Sequence, residues 1–124
     1  MQKRHENRNI YFKELSITSR NYFIPYIECW HPVEAKMDVL EIGCGEGGNL
    51  LPFSEIGCNT VGVDLAESRI KDAKTFFNES HTKGEFIASD IFNLKKLEQS
   101  FDIIICHDLS LIHISEPTRL DVIS

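Results

Sequence analysis

The sequence predicts an α/β fold, an open parallel sheet with helices on both faces, and three observations carry that expectation. From residue 37 onward, short apolar runs alternate with segments whose apolar residues recur at helical intervals. A glycine-rich turn, Gly43-Cys44-Gly45-Glu46-Gly47-Gly48, joins the first such run to the first such helix. The run Phe101-Asp102-Ile103-Ile104-Ile105-Cys106 is apolar on both faces, as an interior parallel strand is when helices cover the sheet.

Size and charge limit what such a fold can do. The chain has 124 residues, 42% hydrophobic, with eight Phe, three Tyr and one Trp, which is enough for one core and too little for two domains. Thirteen Lys and Arg stand against 19 Asp and Glu, a formal charge of −6. That balance argues against broad binding to nucleic acid or an anionic membrane, both of which select a basic face. No apolar run approaches the roughly 20 residues of a membrane span, and no apolar stretch follows the charged start in the manner of a secretory leader. The cysteines, Cys29, Cys44, Cys58 and Cys106, form no C-x-x-C pair and read as reduced thiols of a cytoplasmic protein. Cys29 with His31, or Cys106 with His107, offers two metal ligands each, but no second pair completes a set, so no metal is expected.

The first nine residues are polar and read as a frayed end. Over residues 10–30 the apolar positions fall at helical spacing: Tyr22, Tyr26 and Trp30 by fours, and Phe23 and Ile27 likewise. Pro25 places the start of that helix near Ser19, or kinks it. An aromatic stripe of this kind is expected to pack on the sheet rather than to act as a lid over a ligand. Residues 31–36 are a linker. Residues 37–42 form the first strand. Residues 47–56 form a short helix with Leu50, Phe53 and Ile56 on one side and Gly57 just past its end. Residues 59–63 form the second strand, 66–78 a helix with Ala66, Ile70, Ala73 and Phe77 on one stripe, and 85–88 the third strand. At most a helical turn is expected at 94–97 before the fourth strand at 101–106. Strands separated by helices with short links imply right-handed parallel crossovers.

The glycine turn is the most informative segment. Glycines serve where the chain turns sharply and where a ligand must approach the backbone, and in open parallel sheets ligands bind at the carboxyl ends of the strands. Two ligand classes fit the spacing. Gly43, Gly45 and Gly48 satisfy G-x-G-x-x-G, and Asp64 stands at the end of the second strand where a ribose partner belongs, so a nicotinamide dinucleotide is permitted. Glu41 and Glu46, however, would face a pyrophosphate, which seeks N–H donors and positive potential. A cationic ligand suits them better.

The segment Glu41-Ile42-Gly43-Cys44-Gly45-Glu46-Gly47 resembles the first motif, E/D-x-G-x-G-x-G, of the class I S-adenosylmethionine-dependent methyltransferases. Val61-Gly62-Val63-Asp64, Ser89-Asp90-Ile91 and the strand 101–106 follow in the order of that family, over roughly residues 22–108. The resemblance implies a Rossmann-like fold, of which the N-terminal four strands are present, and S-adenosyl-L-methionine as cofactor. It implies that Gly43, Cys44 and Gly45 approach the methionine moiety and that Glu41 orients the amino group. It implies that Asp64 accepts both ribose hydroxyls and Leu65 packs on the adenine. Asp90 and the backbone of Ile91 would read the adenine edge, and Cys106 would border the methyl group. Methyl transfer from a sulfonium needs alignment and exclusion of water more than acid–base help, so a catalytic residue is left unassigned, with His107 the one candidate base.

Three segments result: a helical segment at 1–36, an incomplete cofactor-binding portion at 37–108, and a tail at 109–124. The tail resembles no element of the family. Its first part, residues 109–119, resembles a translation of transposase-type adapter DNA used in sequencing libraries, so a non-native tail is expected, leaving residues 103–105 as an exposed apolar edge. The functional alternatives are a nicotinamide-dependent oxidoreductase and a non-catalytic nucleoside-binding module. The methyl acceptor and the oligomeric state stay open.

Overall fold

The computed structural model describes residues 2–90, 100–106 and 111–118, with side chains over 7–90 and 100–106. Its sheet has the order β3-β2-β1-β4-β5. The strands are β1 (Asp38–Ile42), β2 (Asn59–Asp64), β3 (Glu85–Ala88), β4 (Phe101–Cys106) and β5 (Leu111–Thr118). The first four pair in parallel. The chain leaves β1 toward β2 and β3 on one side and returns to β4 on the other, so β1 and β4 flank the reversal point where open sheets of this kind bind ligands.

Alternation along β1 separates two cores. Val39 and Glu41 face one side, and Leu40 and Ile42 face the other. On the first side Val39, Phe86, Ile103 and Ile105 join a cluster fed by the helices α1 (Gln2–Thr18), α2 (Ile24–Glu28), α3 (Leu51–Ile56) and α4 (Glu67–Glu79). On the second side Leu40, Val61, Val63, Phe101 and Ile104 form a cluster of strand side chains. Among the described residues the helices thus lie on one face. The helical turn expected at 94–97 falls outside them.

The N-terminal segment departs most from expectation. It is helical from Gln2, passes through a π-helical turn (Ser19–Phe23), and continues as α2. Phe12, Ser16 and Ser19 form its buried stripe, with Phe12 set against the rings of Phe76 and Phe77 at 5.0 and 6.2 Å between centroids. One aromatic anchor in a run of charged residues leaves little periodic signal, so docking rather than local propensity holds this helix. In the π-helical turn Ile24 N–H donates to the Ser19 carbonyl, five residues back, and Pro25, which cannot donate, stands in the first turn of α2. Of the two apolar stripes, that of Phe23 and Ile27 packs inward, while Tyr22 and Trp30 are both 72% exposed and Tyr26 is 58% exposed. The aromatic stripe expected in the core therefore faces solvent.

Other boundaries shift less. Helix α3 starts at Leu51, after a turn at 48–50, and Ile56 is exposed. Gly57 follows it at φ 112°, as its C-terminal position required. In α4, Ile70, Ala73 and Phe77 are buried as expected and Phe76 joins them, whereas Ala66 is the residue before the helix.

The tail forms an element that the sequence reading did not give it. Residues of β5 pair antiparallel with β4, Ile103 opposite Ile114 and Ile105 opposite Ile112, so β4 is an interior strand and not an edge. The run Leu111-Ile112-His113-Ile114 has the β-branched content and alternation that a strand needs, and Pro117 is tolerated because β5 is the outer strand.

Candidate functional site

The glycine loop is tied to the end of β2. Gly43 and Cys44 N–H groups both donate to the Val63 carbonyl, at 2.8 and 3.0 Å. Asp64 then receives two backbone donors, Gly45 N–H on Oδ2 at 3.0 Å and Ala66 N–H on Oδ1 at 2.9 Å. A carboxylate has about four lone-pair sites, so two such bonds leave acceptor capacity for a ligand. Gly43, Gly45 and Gly47 adopt φ of 73°, 56° and 86°. A Cβ placed on Gly45 would meet nothing within 4 Å, so what requires glycine there is the left-handed backbone and the open space in front of it. Gly48 is different: a Cβ would stand 2.7 Å from Leu15 Cβ and 2.8 Å from the Phe12 carbonyl, so this glycine admits α1 onto the loop.

A cleft of about 870 Å³ opens beside the loop, within the range of small-molecule sites. Of the residues named from sequence, Gly43, Cys44, Gly45, Asp64, Leu65 and Asp90 line it. Leu65 is 76% exposed at its mouth, an apolar surface that invites a flat ring. Ile91 and His107 lie outside the described residues. Cys106 does not line the cleft: it ends β4, buried, in register with Ile42, and burial raises its thiol above the ordinary range.

Glu41 also stands off the cleft wall. It is 0% exposed and lies on the helix-covered face of β1, where Asn49 Nδ2 donates to its Oε2 at 3.1 Å. Burial pushes its carboxyl up to about 8, the Asn49 hydrogen bond opposing and nearby Asp64 adding to the rise. At pH 7 Glu41 is therefore mainly protonated. The acidic side chains on the cleft wall are Glu46, Asp64 and Asp90, and Glu41 lies in the layer beneath them. Cys44 is held inert, its thiol raised by burial and then by Glu41, Asp64 and Glu46.

Sequence reasoning missed one wall. Arg8, Tyr11 and Leu15 of α1 line the cleft, as do Arg69 of α4 and Ser89 after β3. The three α1 residues follow i, i+3, i+7 spacing, a signal hidden by reading the first nine residues as frayed. Arg8 Nη1 bonds Asp72 of α4 and stands 4.0 Å from Glu46 of the loop, which clamps α1 across both.

The helix after the loop begins late. Three residues in a turn precede Leu51, and Pro52 in its first turn lacks an N–H. A pyrophosphate seat needs a loop that opens directly into a helix N-terminus with donors free. That arrangement is not formed here.

A family model described as a methyltransferase domain matches residues 39–124. A ubiquinone biosynthesis O-methyltransferase of Coxiella burnetii is 35% identical over 97 residues, 78% of this chain and 41% of the relative. Among solved structures, the YcgJ protein of Bacillus subtilis is 31% identical with a TM-score of 0.59, over 71% of this chain and 36% of that one. PKMT2 of Rickettsia typhi, in complex with AdoHcy, is 34% identical with a TM-score of 0.55, over 61% of this chain and 15% of that one. This chain thus spans about two fifths of its curated relative's length. Among the described residues no helix is long and apolar enough to cross a membrane. With the strand order, the three left-handed glycines and the family match in agreement, the chain belongs to the methyltransferase domain family, of the class I S-adenosylmethionine-dependent type.

Proposed function

We propose that this chain is the cofactor-binding portion of an S-adenosylmethionine-dependent methyltransferase that acts on a hydroxyl acceptor. The observation that carries the reading is Asp64, locked by Gly45 and Ala66 N–H groups at the floor of a cleft with an open glycine loop on one side. A sulfonium cofactor supplies an already activated methyl group for in-line displacement. The chain's own residues bind and orient it. Asp64 keeps acceptor sites for a ribose diol, Leu65 offers an apolar face to a base, and Asp90 and Ser89 stand where a base edge would be read. Glu46, Asp64 and Asp90 outnumber Arg8 and Arg69 on the wall, and Arg8 is engaged by Asp72 and stands by Glu46, so the balance there favours a cation over a pyrophosphate. Tyr11 and Leu15 of α1 exclude water from the opposite side. Oxygen as the acceptor atom rests on the name of the Coxiella relative. The four free thiols, three of them buried as packing groups, support a cytoplasmic location.

Calorimetry with S-adenosylhomocysteine against NADH tests the cofactor. Binding of the first and not the second is expected, and the reverse would install the oxidoreductase instead. Transfer of label from tritiated donor to a cell extract separates an enzyme from a binding module.

A further inference from the structure

Asn49 occupies the turn between the glycine loop and α3 and joins three segments there. Its side-chain amide donates to Glu41 at the end of β1, and its backbone carbonyl accepts from Ser19 Oγ of the π-helical turn at 2.8 Å. Glu41 and Ser19 are both 0% exposed, and the half-buried Asn49 links them beside the loop. We propose that Asn49 is a positioning residue of the cofactor site, seating the Glu41 carboxyl against the underside of the glycine loop as the counter-charge to a cationic ligand above it. The inference rests on the reading that the ligand is S-adenosylmethionine.

The groups around Glu41 decide how such a counter-charge works. Asp64 at the end of β2 acts on it, and the loop brings Glu46 and Cys44 into the same cluster. The cation carried by α1, Arg8, is engaged by Asp72 and stands by Glu46. The register neighbours of Glu41, Gly62 on β2 and Ile105 on β4, bring no charge, and the π-helical turn brings the Ser19 hydroxyl to Asn49. Burial and Asp64 therefore hold Glu41 protonated, while the Asn49 donor favours the ionised form. A cation placed over the loop adds to the Asn49 side. The Glu41 O–H bond then breaks, the proton goes to solvent, and one carboxylate is formed for one cation bound. Uptake of the cofactor is thereby linked to proton release, and affinity rises with pH until Glu41 is ionised in the free chain.

Titration calorimetry of the 124-residue chain with S-adenosylmethionine, from about pH 6 to about pH 8.5 in two buffers of different ionisation enthalpy, counts the protons. The wild type is expected to release protons and to gain affinity with pH, by at most about tenfold per unit. Glu41→Gln removes the Glu41 share of the release. The ligand's own ammonium titrates near pH 8 but is common to all variants and cancels in the difference. Asn49→Ala weakens binding several-fold and moves the rise to higher pH, because the bond favouring the carboxylate is gone. Should Asn49→Ala fail to fold, Asn49→Ser in the same turn is measured instead. Proton release and pH profile unchanged in Glu41→Gln, or in the Asn49 variant, overturn the proposal. Absence of binding by the wild type at every pH overturns the cofactor reading itself, and this inference with it.

Discussion

The Gly45 N–H donates to Asp64 Oδ2 at 3.0 Å, so the residue that should hold a ribose also holds the loop that borders it. Removing the carboxyl therefore acts twice. Asp64→Ala is expected to weaken S-adenosylhomocysteine binding by about 1–3 kcal/mol, the scale of lost hydrogen bonds to a charged acceptor. It should also lower the melting temperature, because Gly45 and Ala66 N–H groups lose their partner. Calorimetry and thermal unfolding read the two effects separately, and an unchanged affinity would take Asp64 out of the site.

Two glycines of the loop, Gly45 and Gly48, should respond differently to alanine. Gly45→Ala meets no atom but must hold φ 56°, which costs about 1–2 kcal/mol of backbone strain, and its methyl enters the cleft. Gly48→Ala drives a methyl into Leu15 Cβ and the Phe12 carbonyl and should destabilise by about 1–3 kcal/mol by prising α1 off the loop. The expected pattern is a larger loss of affinity than of stability for Gly45→Ala. Denaturant unfolding alongside ligand titration tests it.

The buried Glu41 makes stability fall as pH rises. Its folded-state value, about 8, lies above its ordinary value of 4.5, so the folded chain holds a proton that the unfolded chain releases. Its contribution is fully present below about pH 4.5 and is lost as pH rises toward about 8. The slope over that window is at most about 1.4 kcal/mol per pH unit. Glu41→Gln should flatten the melting temperature between those limits. A wild-type profile no steeper than that of the variant would contradict the burial argument.

The two stripes of the helical segment should separate in mutagenesis. Ile27→Ala removes a fully buried side chain and is expected to cost about 2–5 kcal/mol. Tyr22→Ser and Tyr26→Ser, on the exposed stripe, should each change stability by about 0.5 kcal/mol or less. Urea denaturation midpoints decide between them.

Ending the chain at Asp108 would strip β5 from β4 and leave Ile103, Ile104 and Ile105 on an unpaired edge. The shortened chain is expected to aggregate at concentrations where the full one stays dispersed, as read by light scattering. Equal dispersion would mean that the β5 pairing contributes nothing in solution.

The parallel sheet and its loop were legible because their signals are local. The runs 37–42 and 101–106, the glycines between strand and helix, and Asp64 at a strand end each carry their meaning within a few residues. What was not legible depends on partners far along the chain. Arg8 looks like part of a polar end, and Tyr11 and Leu15 show no partner, until Asp72, Phe76 and the loop are brought beneath them. Tyr22, Tyr26 and Trp30 have the spacing of a core stripe, and only the docking of Phe23 and Ile27 decides which stripe turns inward. Glu41 is expected from its motif to face the ligand, because a motif gives position but not depth. Its burial changes the ionisation and moves it from the cleft wall to the layer below.

The bond from Arg8 to Asp72 spans 64 residues, and Phe12 reaches as far to Phe76. The helical segment is made before α4 yet cannot dock until α4 has followed it, so its contacts belong to the late, non-local part of folding. A chain caught before that step would have its sheet and glycine loop assembled while Phe12 and its neighbours stood exposed. The completed cofactor cleft then also records that α4 has been made and docked, and chaperone engagement during translation should concentrate on the α1 segment until that contact forms.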